Sequence, residues 1–107
     1  MLYRFKSQAT ADLVMLGQDG QRLLEVWGKD PSGPGILLAA DMERAAALLL
    51  ASADAQEAME AQAKADAIAA GEPEPMPPQV AWRARIQPML DMIKYCRAED
   101  VALRWEV

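Results

Sequence analysis

The 107-residue chain carries 16 acidic and 11 basic side chains, a net charge of −5, one cysteine and no histidine. That length gives one domain with enough apolar content for its own core. The inventory excludes histidine-based triads, histidine-ligated metals and an intramolecular disulfide. A net acidic field also disfavours general nucleic-acid binding and anionic membrane surfaces, and no stretch reaches the roughly 18 apolar residues of a membrane span.

Leu2 to Lys6 alternates apolar and polar residues, the period of a half-buried strand with Tyr3 and Phe5 on one face. Ser7 to Ala11 reads as a loop. Asp12 to Leu16 contains the apolar run Leu-Val-Met-Leu, expected as a second strand buried on both faces or closely covered by a helix. A hairpin is the simplest link between the two. Gly17-Gln-Asp-Gly20 reads as a turn, since it lacks the lysine-serine/threonine ending of a phosphate loop. Over residues 21–27 the spacing of Leu23, Leu24 and Trp27 favours a short helix, capped by Asp19 and ended by Gly28, over a third strand.

Lys29 to Gly35 is a Pro/Gly loop, and Ile36 to Leu38 is a short extended stretch. Asp41 is the expected N-cap of a helix from Met42, with Met42, Ala45, Ala46, Leu49 and Ala53 on its apolar face and Leu48 beside it. Beyond Ser52 alanine dominates, so helical propensity persists while packing residues thin out. A continuous helix over 42–70 would be about 43 Å long. It must therefore break near Ser52–Asp54, where Asp54 and Glu57 offer a capping box, or its second half projects from the domain. Residues 71–79 form a Pro-rich linker inside the single domain 1–107. Trp82, Ile86, Met89, Leu90 and Ile93 recur at helical spacing over 82–98. Pro88 either opens a shorter helix or kinks a longer one. Val101, Leu103, Trp105 and Val107 share one face of a final strand. The two ends of the chain can then pair, as expected of a closed, complete domain.

The predicted architecture is α+β. A small antiparallel sheet of three strands, near 2–6, 12–16 and 101–107, is formed by both chain ends and covered on one face by helices. The expected core includes Phe5, Val14, Leu16, Leu24 and Leu49 from the first half. Ile86, Leu90, Ile93, Leu103 and Trp105 complete it from the second.

The opening Met-Leu-Tyr-Arg-Phe-Lys-Ser, with Ala9-Thr10 and Asp12-Leu-Val-Met-Leu-Gly17, resembles the start of a small bacterial family, domain of unknown function 1840. The resemblance continues through Leu23-Leu24 with Gly28-Lys29, Gly35-Ile36, Met42, Arg85-Ile-Gln-Pro88 with Leu90, and Val101 with Trp105. It is weakest over 52–79. It implies a short cytoplasmic bacterial protein and carries no activity or functional residues.

Charge is unevenly placed. Residues 41–79 sum to −6, and residues 80–107 to +1. Arg83, Arg85, Lys94, Arg97 and Arg104 make the C-terminal third basic and form the candidate interaction surface. It suits an acidic protein segment, an anionic small molecule, or the acidic helix 54–74 of the same or another copy. The tryptophans beside these arginines fall on apolar faces and are expected in the core. Cys96 is expected as a buried packing residue, because the C-terminal end of a helix raises a thiol pKa. The alanines of 55–69 lie along one helix face, where they serve either a solvated helix or self-association. The expected function is a non-catalytic interaction or regulatory module with no cofactor, acting on an unknown protein partner in the cytoplasm. The alternative is an anion binder or enzyme accessory protein using arginine side chains.

Overall fold

The computed structural model describes all residues, 1–107. Four strands and three α-helices follow in the order β1 (Leu2–Ser7), β2 (Thr10–Leu16), α1 (Gly17–Val26), β3 (Gly35–Leu37), α2 (Met42–Ala70), α3 (Trp82–Glu99) and β4 (Leu103–Glu106). The sheet order is β2-β1-β4-β3, antiparallel throughout. The first and last strands therefore meet at the centre, with Phe5 opposite Trp105. The fold is α+β, as expected, with one strand more than the sequence suggested. The stretch read as merely extended pairs with β4 through Gly35–Trp105 and Leu37–Leu103.

Register decides which side chains the helices cover. Directly opposed residues of an antiparallel pair point to the same face. Tyr3 pairs with Met15 and Phe5 with Leu13. The odd-numbered residues of β2 therefore share the covered face with Tyr3 and Phe5. Val14 and Leu16, expected in the core, are turned to the open face and are 46% and 65% exposed. The apolar run Leu13–Leu16 concealed this alternation, because both of its faces are apolar in composition. Leu90 is only half-buried. Phe5, Leu24, Leu49, Ile86, Ile93, Leu103 and Trp105 are buried as expected, and Tyr3, Trp27, Met42, Trp82 and Met89 join them. Cys96 is fully buried, with its Sγ 3.1 Å from Ser7 Oγ.

The hairpin loop is tighter than expected, with Ser7 opposite Thr10. Helix α1 starts at Gly17, directly after β2, so Asp19 lies in its first turn and makes no cap. Gly20 sits under Tyr3, and a Cβ there would come 2.3 Å from Tyr3 Cδ2. Tyr3 in turn donates its hydroxyl to the Pro31 carbonyl at 2.6 Å, which ties the Pro/Gly loop to the sheet. Trp27 Nε1 donates to the Ala45 carbonyl at 3.2 Å and joins α1 to α2.

Helix α2 is continuous over 29 residues and no capping box interrupts it. A 3-10 turn over Ala39–Asp41 leads into it, and Asp41 makes no side-chain cap. Its buried residues stop at Ala53, so the remainder projects and the molecule measures 53 × 27 × 21 Å. Residues 71–81 return along this outer half, where Lys64 and Glu74 approach to 3.9 Å. Pro88 lies inside α3, which continues through it.

Helix α3 ends in a left-handed residue, Asp100, at φ 54°. The Val101 N–H then reaches back to the Cys96 carbonyl at 3.1 Å. Helices α1 and α2 end the same way with Gly28 and Gly71. A side chain in this conformation is strained where glycine is not. Asp100→Gly should therefore raise stability by about 0.5–1 kcal/mol. Its urea midpoint should rise, and a fall would show that the Asp100 side chain makes a compensating contact.

Candidate functional site

The five predicted basic residues do not form one patch. On a helix of 3.6 residues per turn, Arg83, Lys94 and Arg97 fall close to one line along α3, and Arg85 falls on the far side. The line faces α2. Arg83 forms a fork on that helix, with Nε 2.9 Å from Glu57 Oε2 and a terminal nitrogen 2.5 Å from Asp54 Oδ1. Part of the basic surface is thus spent on the acidic helix of the same copy. Arg97 stands 3.9 Å from Glu43. Arg85 reaches α1 instead, with NH1 2.8 Å from Asp19 Oδ2. Arg104 lies on the open face of the sheet, opposite Lys6 and Ile36.

Between α2 and α3 a shallow groove of about 500 Å³ opens to solvent. Ala46, Leu50, Leu90 and Ile93 form its apolar floor, and Lys94 and Arg97 rim it. Leu50 is 42% exposed. The groove runs where α2 packs against α3, and the small side chains Ala46 and Ala98 leave it unfilled.

A larger cleft of about 630 Å³ lies at the opposite side, where the start of α1, the middle of α2 and the returning linker meet. Arg22 is its centre. Its guanidinium lies 4.1 Å over the Trp82 ring and donates to Gln56 Oε1 at 2.9 Å. Gln56 donates onward to Glu60 at 3.0 Å. The Trp82 N–H is held by Ser52 Oγ at 2.9 Å, which fixes the ring plane beneath the cation. Arg85 and Asp19 close the other wall. Arg22 was not legible as a site residue, because its partners are 34 and 60 positions away and no local pattern links them.

Hydrogen bonds from Ser32 lower the pKa of the Asp30 carboxyl, and charge pairs displace the other titrations. Hydrogen bonding to Arg83 holds the Glu57 carboxyl below the usual glutamate range, and the two acids together push the Arg83 pKa up. Lys6, 2.8 Å away, likewise lowers that of Glu106. For such depressed carboxylates the stabilisation is present above the unfolded glutamate pKa, near 4.5, and is lost as pH falls through the folded value. Arg83→Ala should return the Glu57 titration, followed by NMR, toward 4.5. It should change stability at neutral pH only slightly, since the pair is exposed. An unmoved Glu57 midpoint would show that another group holds it.

No three Cys, Asp or Glu side chains converge in the manner of a metal cage, and no helix is long and apolar enough to cross a membrane. The family model described as "domain of unknown function (DUF1840)" matches residues 1–105. The chain belongs to this family. The match takes in all three helices and every strand but the last residue of β4, and so includes both the groove and the cleft of this DUF1840 chain. No curated protein and no solved structure matches it.

Proposed function

We propose that this DUF1840 chain is a non-catalytic interaction module whose docking surface is the groove between α2 and α3. The observation that carries this reading is the pairing of an apolar floor with Lys94 and Arg97 at its rim. Leu50 and Leu90 offer desolvation, and the cations set orientation by charge. Such a surface suits a protein segment that is apolar on one side and acidic along its border. The free, buried thiol of Cys96 suits a reducing compartment such as the cytoplasm.

The test is capture of partners from the native cell by tagged protein, at low and moderate salt, with wild type beside Lys94→Glu/Arg97→Glu. A stoichiometric partner lost in the variant supports the groove. A partner held equally well by the variant would move docking elsewhere.

A second reading, an anion binder, is favoured by the cleft with Arg22 and Arg85 on its walls. It ranks lower because both cations are already engaged, Arg85 by Asp19 and Arg22 by Trp82 and Gln56. A small anion bound there at a hundred times its Kd should stabilise the fold by about 2.7 kcal/mol. A thermal-shift screen of anionic metabolites should find such a compound, with the shift abolished in Arg22→Gln. No shift with any of them would remove this reading.

A further inference from the structure

The cleft beside α1 holds two charges that nothing in the molecule cancels. Arg22 and Glu60 both line it and are half-buried. Neither takes part in any ion pair of the chain. The other charged side chains of the cleft, Asp19 and Arg85, pair with each other. Arg22 keeps its full charge, because Trp82 offers it only a ring face and Gln56 only a neutral carboxamide. A partly desolvated charge without a counter-charge carries a cost that a ligand of opposite charge relieves.

The two charges are joined through one side chain. Gln56 and Glu60 stand one helical turn apart on α2 and share a face. Arg22 donates to Gln56 Oε1 at 2.9 Å, and Gln56 Nε2 donates to Glu60 Oε1 at 3.0 Å. A guanidinium only donates and a carboxylate only accepts, so this polarity is fixed. A carboxamide thus spans the gap, its acceptor toward the cation and its donor toward the acid. The carboxylate and ammonium of an α-amino acid present the same order with full charges. Their O and N are only one covalent bond further apart than those of the amide. Arg22 spends one of its N–H groups on Gln56, and Glu60 Oε2 accepts no hydrogen bond, so both can take a ligand beside it. Leu16, Pro78 and Val80 supply an apolar wall, and the cleft of about 630 Å³ leaves room for a side chain. The carboxylates of Asp19 and Glu60 repel a polyanion there. An internal peptide residue carries neither charge.

We propose that this cleft binds a free α-amino acid with an apolar side chain. Its carboxylate lies on Arg22, its ammonium on Glu60 and its side chain against Leu16, Pro78 and Val80. This rests on the second reading above, the cleft as a binder of anions, and narrows the ligand to a zwitterion; it is independent of the groove.

The test is titration of the full chain with L-valine, L-leucine, L-methionine and L-phenylalanine, followed by calorimetry and by the NMR resonance of the Trp82 indole N–H, whose ring lies beneath Arg22. At least one should bind in the millimolar range or tighter and move that resonance. Two analogues of each amino acid accompany it, for leucine isocaproate, which lacks the ammonium, and isopentylamine, which lacks the carboxylate. Each analogue should bind about tenfold more weakly or worse, the loss expected for one charge-assisted contact. In Glu60→Gln the advantage of the amino acid over its deaminated acid should vanish. Helical content by circular dichroism should stay unchanged, since Glu60 lies beyond the last buried residue of α2. A deaminated acid that binds as well as its amino acid would overturn the zwitterion and leave the anion reading standing. Failure of all four amino acids and of their deaminated acids alike would overturn the zwitterion and count against the anion reading too.

Discussion

Trp105→Ala is expected to lower the unfolding free energy by about 3–5 kcal/mol, the range for deleting a large core aromatic. Trp105 is 3% exposed and sits where the two chain ends pair. Its ring lies 6.1 Å from both Phe5 and Trp27, centroid to centroid, so one residue joins β1, β4 and α1. Its other face rests on Gly35, where a Cβ would fall 2.3 Å from Trp105 Cζ2. Truncation would open a void bounded by three elements that cannot all close on it. The indole N–H is buried without a partner. Its desolvation is a cost that the wild type already bears. Trp105→Phe, which keeps an aromatic ring and removes the orphan donor, should therefore lose much less than Trp105→Ala. Urea unfolding of the two variants checks this. An unchanged midpoint for Trp105→Ala would show that the central strand pair does not depend on this ring.

Gly20→Ala is expected to destabilise by about 3 kcal/mol, the upper part of the range for overpacking. Helix propensity alone predicts the opposite sign, a gain of about 1 kcal/mol from replacing glycine by alanine inside a helix. The sign is reversed by contact. The added methyl would meet Tyr3 Cδ2 at 2.3 Å and Tyr3 Cβ at 3.0 Å. The Tyr3 ring cannot swing away without surrendering its hydrogen bond to the Pro31 carbonyl. Either α1 shifts off the sheet or the loop that follows it is released. In a Tyr3→Ala background the two ring contacts are gone and only the 3.0 Å approach to Cβ remains, so the same Gly20→Ala change should cost much less. A double-mutant cycle measured in urea isolates that coupling. Equal effects of Gly20→Ala in both backgrounds would show that Tyr3 is not the obstacle.

The elements with a strong local signal were legible in the sequence. Alternation placed β1 and β4 as strands at the two chain ends that can pair, and the register that sets Phe5 opposite Trp105 came from the structure. Alanine content predicted α2, and Gly28 and Gly71 marked the ends of α1 and α2. The misreadings share a cause. Val14 and Leu16 read as core because Leu13–Leu16 is apolar throughout, and only the pairing of Met15 with Tyr3 decides which half of that run is covered. Residues 35–37 are too short to announce a strand until β4 lies beside them. Asp19, Asp54 and Glu57 looked like helix caps, since a carboxylate near a helix start usually caps it. Each instead accepts an arginine from α3.

The candidate site divides in the same way. That the C-terminal third is basic and residues 41–79 are acidic is a property of the chain. That Arg83 is spent on Asp54 and Glu57, that Arg85 turns to α1, and that Lys94 and Arg97 remain to rim an apolar groove are properties of how α3 lies on α2.

The sequence by itself determined the α+β class, the strand character of both chain ends, the family, and the lack of a residue set for familiar histidine or disulfide chemistry. Periodicity and composition suffice for these, because each is set by residues close together in the chain or by simple counts. Tertiary structure alone decided which face of β2 is dry, why Gly20 must be glycine, where the five cations go, and which surfaces hold the groove and the cleft. Those depend on register and helix placement, which bring together residues as far apart as Asp19 and Arg85, and no local pattern encodes such a contact.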